Sequence, residues 1–545
     1  MITTAVSRKR TFLPPERIQT FFEKRLFVML WLLLTAININ KAYHIDDSFH
    51  LEVAAWIKEH PLQPMSGAVN WSQLPEPIFV SNQPPLFFYL ILVFQYLFGT
   101  SEIALHLLLS IFTFLALYYF VKLTKLLEVK HSQILLVLFA CCPAFVVNQN
   151  LMTDIPLLSL ILATLFYLLK GQQSGILRHY LIAAALLSAG LLVKYTILPL
   201  VVVFTLTILL SGFQKNLIAL FVPVTIMLLW STWNYYEFGS VHLLMRKTKS
   251  VFYVSRIWGY MSALGAVSFF SSAFFFHLLP FRATRIAVVI FWLAFWLMVP
   301  LVYVGSIKNE FINHFLNIFF IINGCIIYAW LIKYIFFSFW FEKINFLKSP
   351  ACTLILYILG MSLFIILFAP FNATRHVLLV IPILLLVGHR VFEKTRGVLN
   401  HTIIATTFFI GILLGVSDWI YADFYRRGAK EIHYPNKKIW TTGHWGWQWY
   451  SKQSGMHMYS SDSLHLMKPG DIVVYPKNIS RQSFSPQLIM KSLDTIAGAS
   501  GCLTFFSGKK YASLYISSDT KPAWNLSNAP IDTIFIKEVV SIKIK

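Results

Sequence analysis

The sequence predicts an all-α membrane domain with many spans, followed by a small α/β domain. Three observations carry that reading: 57% of the 545 residues are hydrophobic, only 12% are charged, and long apolar runs recur until about residue 422, where the composition turns polar. Ordinary soluble domains hold about 45–50% apolar and about 25% charged residues. The net charge of +22 would suit a nucleic acid. The lysines and arginines, however, fall in short clusters between apolar runs, the footprint of membrane topology, so nucleic acid is set aside as a partner. Four of the five cysteines lie in or beside apolar runs and only Cys502 lies in a polar region, which gives no disulfide framework and no metal-ligand spacing.

A helix needs about 20 apolar residues to cross a bilayer. On that ruler the chain predicts about 13 spans, beginning near residues 25, 102, 132, 151, 180, 197, 217, 262, 286, 311, 350, 375 and 401. The first run, Leu26 to Ile39, follows "SRKR" and "EKR" and lacks a small-residue cleavage site, so it reads as an uncleaved span. The run Pro84 to Gly99 is bounded by prolines and a glycine and is short, which predicts an interfacial helix. Basic residues concentrate in alternate loops such as "VKLTK", "FRATR" and "HRVFEKTR". That bias places the N-terminus inside and, with an odd span count, the tail outside. The expected organisation is a transmembrane domain over 1–422, with a large first exterior loop at 41–101, and an exterior domain over 423–545.

The first exterior loop opens with "KAYHIDDSFHLEVAAWIKEHP", Lys41 to Pro61. Asp46 and Asp47 there either cap a helix or belong to a reactive site. Asp154 in "NLMTDIPLLSL" and Lys194 in "GLLVKYTILPL" reach the same side, as do Arg246, Lys247, Lys249, Arg256 and the pair Arg375 and His376 in "FNATRHVLLVIP". Charges at membrane depth are costly and point to function, although each one alone also suits a helix end. Together they suit transfer from an anionic, membrane-held donor: a carboxylate deprotonates a hydroxyl and cations stabilise phosphate charge. Arg375 suits a bidentate phosphate contact. Arg246 to Arg256 equally suit lipid headgroups. His44, Asp47 and His50 are metal-competent types, which leaves a divalent ion as a candidate cofactor and no other cofactor indicated.

In order, "DDSFHLEVAAWI", "NQPPLFFYL", "GTSEIALHLLLS", "TDIPLL", "GLLVKYTILPL", "WNYYEFGSVH" and "TRHVLLVIPILLL" resemble the GT-C membrane glycosyltransferases. The likeness is to the bacterial branch related to dolichyl-phosphate-mannose–protein mannosyltransferases and lipid A aminoarabinose transferases. It covers roughly residues 20–420. The resemblance implies a GT-C fold, a polyprenyl-phosphate-linked sugar donor, and a lipid, glycan or protein acceptor. It also implies an exterior active site in a bacterial inner membrane, with an acidic residue of the first loop as base. By that likeness Asp46 aligns with the first member of an Asp-Glu pair whose second is Asp47 here. Asp154 matches the second-loop acid, Lys194 the cation of a "Leu-Thr-Lys-Gly" type segment, and Arg375-His376 a late Arg-Tyr pair. His106 stands where members often carry arginine. The other class that fits a polytopic chain, a transporter or flippase of a lipid-linked sugar, usually shows paired halves, and no repeat is found.

The tail alternates short apolar runs, "DIVVYP", "ASLYIS" and "DTIFIKEV", with turn residues, which predicts strands in a small mixed domain. Its tryptophan-dense "GHWGWQWY", Gly443 to Tyr450, suits sugar stacking or a membrane interface, or else the core of the small domain.

Overall fold

The computed structural model describes residues 15–81, 83–245, 252–279, 281–303, 309–499, 504–506, 512, 514–516, 521–527 and 529–543. Helices dominate to residue 431 and a small sheet follows. Among the described residues six helices are long and apolar enough to cross a bilayer: Glu102–Leu126, Asp154–Ser174, Gln214–Phe238, His314–Glu342, Pro350–Phe368 and Gly397–Glu431. The protein is thus a multi-pass membrane protein.

The expected 13 spans are not all recovered as single long helices, and the reason is local. Pro143 ends one run, so the segment near 132 becomes Ser132–Ala140 and Pro143–Val147. The segment near 262 is the bent pair Ser255–Val267 and Ser271–Leu278, which turns by 107°. Lys194 sits in extended backbone between Leu177–Val193 and the turn Tyr195–Ile197, which leaves two short apolar helices where two spans were expected. The run after residue 374 divides into Thr374–Val377, Ile381–Val387 and His389–Lys394. Broken helices at membrane depth survive only inside protein, where freed backbone groups find partners, and Thr374, Ile381 and Pro382 are fully buried. The Leu86–Phe98 helix has 13 residues, the short element expected there.

Helix starts follow their sequence signals. The Ser101 side chain accepts from the Ala104 amide at 3.3 Å, with Glu102 in the first turn. Ser349 caps the Pro350–Phe368 helix in the same way, ahead of a proline at its first position. Between helices, polar side chains and small residues set the distance. Trp31 Nε1 donates to Ser110 Oγ at 2.9 Å. A Cβ on Gly265 would collide with the Phe320 carbonyl, and one on Gly324 with the Met261 carbonyl, so Ser255–Val267 and Asn309–Glu342 meet backbone to backbone.

The last long helix runs without a break through residue 422 to Glu431. Beyond it lies a five-stranded sheet in the spatial order His457–Met458, Ile439–Thr441, Ile472–Pro476, Thr533–Ile542, Leu488–Ala497. The first three strands are parallel and the last two join antiparallel. A small core of Trp440, Tyr459, Met467, Val473, Tyr475, Leu488 and Val539 packs on one face. The tail does not stand apart from the helices. Leu514, Tyr515, Trp524 and Leu526 belong to the main helical core, and Trp524 Nε1 donates to the Ala266 carbonyl at 2.7 Å.

Candidate active site

The expected acids and cations come together as two ion pairs from four distant segments. Asp46 stands at the N-cap of the helix Asp47–Glu59, yet its side chain makes no capping bond. Instead its Oδ2 accepts from Arg375 Nη1 at 2.7 Å, across 329 residues of sequence. Asp154 opens the helix Asp154–Ser174, and its Oδ1 accepts from Lys194 Nζ at 2.7 Å. The two pairs share one electrostatic neighbourhood: Arg375 lies in the field of both Asp46 and Asp154, and Asp154 in that of Lys194, Arg375 and His376. Phe371 lies beneath the Arg375 guanidinium at 5.3 Å, and Met152 Sδ lies 3.9 Å from its Nη1. His376 packs against the same Phe371, ring centroids 5.4 Å apart.

Exposure separates the three carboxylates. The Asp46 side chain is 29% exposed, whereas that of Asp154 is 1% exposed and the whole of Asp47 is 0% exposed. Of these three, only Asp46 reaches solvent. Asp47 turns inward, and its Oδ2 accepts from the His44 amide at 2.7 Å while the His44 carbonyl accepts from the Asp47 amide at 3.1 Å. Burial pushes the Asp47 carboxyl well above the usual carboxylate range, against the opposing pull of the His44 amide and the Lys41 ammonium. The same burial lowers His44 to about 4, so this imidazole is neutral at pH 7.

Several expectations change. The candidate metal set His44, Asp47 and His50 does not converge, and among the described residues no three His, Cys, Asp or Glu side chains gather to hold a metal. The cause is prior engagement: Asp47 holds the His44 amide, His50 Nδ1 lies 2.7 Å from the Leu151 carbonyl, and the His44 ring packs between Tyr421 and Tyr515. Arg256, expected among the phosphate-binding cations, donates instead to the Ala369 carbonyl, while its own carbonyl accepts from Asn372 Nδ2 at 2.7 Å. It therefore braces the turn that presents Arg375. Arg246 and Lys247 lie outside the described residues.

A second charged group beside the acidic pair escaped the sequence reading. Lys41 Nζ pairs with Asp418 and donates to the Val147 carbonyl at 3.1 Å, with Lys41 and Asp418 0% and 1% exposed. Tyr515 of the tail donates to Asp418 Oδ2 at 2.7 Å and accepts from Asn150 Nδ2 at 3.0 Å. The available signal was Asp418 itself, a lone carboxylate within the apolar run "GILLGVSDWIYA". Removing one partner of such a buried pair costs about 3–5 kcal/mol, because a charge is left unpaired. Lys41 and Asp418 thus fix the loop that carries Asp46.

Comparison with known proteins adds the following. Residues 82–236 match the family model described as dolichyl-phosphate-mannose-protein mannosyltransferase. The matched stretch holds Asp154 and Lys194, and lies between Asp46 and Arg375. No curated protein sequence matches. Among solved structures, ArnT from Cupriavidus metallidurans bound to undecaprenyl phosphate is similar over 85% of this chain and 93% of its own, with 12% identity and a TM-score of 0.48. The archaeal oligosaccharyltransferase AglB from Archaeoglobus fulgidus, in complex with an inhibitory peptide and a dolichol-phosphate, is similar over 84% of this chain and 69% of its own, with 11% identity and a TM-score of 0.46. The arabinosyltransferase EmbB from Mycobacterium smegmatis is similar over 91% of this chain and 47% of its own, with 14% identity and a TM-score of 0.34.

Proposed function

We propose that the protein is a membrane glycosyltransferase that moves a sugar from a polyprenyl-phosphate-linked donor to a hydroxyl of a lipid, glycan or protein acceptor. The observation that carries this reading is the closeness of the ion pairs Asp46–Arg375 and Asp154–Lys194, with Asp46 the one partly exposed carboxylate among Asp46, Asp47 and Asp154. The family match over 82–236 supports the same class of donor.

In the step proposed, the acceptor hydroxyl oxygen attacks the anomeric carbon and Asp46 takes its proton. The bond from the anomeric carbon to the phosphate oxygen breaks, and its electron pair leaves with the polyprenyl phosphate. Arg375 and Lys194 stabilise the charge that develops there. A single displacement of this kind inverts the anomeric centre. Arg375 has two roles in sequence. Without donor it neutralises Asp46; when a phosphate arrives, the planar guanidinium turns part of its donor fork to that group and frees the carboxylate to accept a proton. Asp154 keeps Lys194 in place, and Asp47 holds the turn on which Asp46 sits.

The site faces the exterior of a bacterial inner membrane in this reading, as the distribution of basic residues supports. A cysteine at Lys58 is then labelled in intact cells by an impermeant reagent and a cysteine at Lys125 is not. Equal labelling of Lys58→Cys and Lys125→Cys rejects that orientation. For the reaction, lipid extracts of cells that depend on the Asp46→Asn protein should accumulate the sugar-loaded polyprenyl phosphate relative to wild type. An unchanged ratio of loaded to free carrier argues against the transfer.

A further inference from the structure

The tryptophan-dense motif of the tail has no part in the proposed reaction, yet it packs directly against the acidic loop. The helix Trp445–Gln453 lies along the helix Asp47–Glu59. Trp447 is fully buried and donates to Thr441 Oγ1 at 2.8 Å, so it belongs to the tail's own packing rather than to a sugar. Trp449 packs edge-on against Tyr43 at 5.7 Å. Tyr450 lies parallel to the same ring at 6.5 Å, and its hydroxyl makes two bonds at once. It accepts from the Tyr43 amide at 2.8 Å and donates to Glu102 Oε1 at 2.8 Å. Gly446 is in contact with the Tyr43 carbonyl, where any Cβ would collide with the oxygen. Farther along, Gln448 Nε2 donates to Glu52 Oε1 at 2.8 Å, and Lys452 pairs with the same oxygen at 2.5 Å.

What this contact holds is a strained turn. Ile45 has a φ of +50°, a left-handed conformation that a β-branched residue rarely adopts. Such strain persists only where the surroundings over-determine it. The strained residue lies two positions after Tyr43 and immediately before Asp46, so the turn aims the carboxylate at Arg375. We propose that the Trp445–Gln453 helix is a positioning clamp: through Tyr450 and Gly446 it fixes the backbone at Tyr43 and so holds the Ile45 turn that presents Asp46. The tail is then part of the catalytic apparatus rather than an appended domain. The residues named are positioning residues and touch no reacting atom. The geometric claim stands without the functional reading, and only its effect on turnover rests on that reading.

The test uses the full chain and hydrogen exchange resolved to single amides. Tyr450→Phe keeps the ring and removes the hydroxyl, and Gly446→Ala places a methyl group against the Tyr43 carbonyl. Both are expected to speed exchange at the His44 and Asp47 amides at least tenfold, with Val53 to Ile57 of the following helix unchanged. Lys452→Ala, which removes only the half-exposed ion pair to Glu52, should change none of them. Loss of protection confined to the Tyr43 amide in Tyr450→Phe overturns the clamp, because that amide has merely lost its acceptor. In a transfer assay Tyr450→Phe should lower kcat at least tenfold at unchanged donor KM, and a changed KM with unchanged kcat also contradicts the proposal. If the wild-type chain transfers no sugar, the functional reading fails, while the exchange pattern still decides the clamp.

Discussion

Asp46→Asn is expected to lower turnover by about 10²–10⁴-fold, the usual worth of a positioned base, while folding and donor affinity survive. The substitution is close to isosteric. Its amide oxygen still accepts from Arg375 Nη1, which Asp46 Oδ2 does at 2.7 Å, so these two segments stay tied. What it removes is a site for the acceptor's proton. The helix-cap alternative makes the opposite forecast, since asparagine caps about as well as aspartate, and the Asp46 side chain makes no capping bond to lose. Among the described residues the two other carboxylates of the site, Asp47 and Asp154, are buried and so poorly placed to substitute. Steady-state kinetics beside a melting curve separate the cases. Full turnover in a well-folded variant removes Asp46 as base.

Arg375→Lys retains the charge and should still lose about 10²-fold or more in kcat/KM, the scale of removing one preorganised donor from a site of developing charge. An ammonium is a point donor, whereas the guanidinium presents a planar fork that can serve Asp46 and a phosphate together. Its surroundings are built for a plane: Phe371 beneath it at 5.3 Å, and the turn ahead braced by Arg256 on the Ala369 carbonyl. Retained kcat/KM in the lysine variant shows that charge alone suffices and rejects the shared-fork role. The reading at stake there is the transfer of Arg375 from carboxylate to phosphate.

The parts of this site that the sequence makes legible are those where a charge interrupts an apolar context. Lys194 interrupts such a run, Asp154 and Arg375 stand at the head of one and Asp46 follows closely after one, and the expense of charge at membrane depth makes them stand out. Their pairing was not legible, because no local pattern connects Asp46 to a residue 329 positions away. The same logic would have found Asp418. It was missed because it lies close to the change in composition near residue 422 and looks like a boundary marker. The expected spans are not all single helices because hydropathy is blind to backbone geometry: Pro143 and the extended Lys194 divide runs that are apolar in composition. Of the three expected strand runs of the tail, "DIVVYP" and "DTIFIKEV" fall in Ile472–Pro476 and Thr533–Ile542, whereas the described residues of "ASLYIS" lie in no strand. The tail's return into the helical core through Tyr515 and Trp524 was not legible, since that depends on what the helices leave uncovered.

The central claim is that Arg375 and Lys194 hold a polyprenyl phosphate beside Asp46. Native mass spectrometry of the purified full chain with a synthetic polyprenyl phosphate measures this without knowledge of sugar or acceptor. One lipid is expected to bind the wild-type protein, and to bind at least as tightly to Asp46→Asn, in which Arg375 is released from a charged partner. Arg375→Ala and Lys194→Ala should each bind at least tenfold more weakly. Absence of binding to the wild type, or equal binding by all four proteins, would contradict that claim.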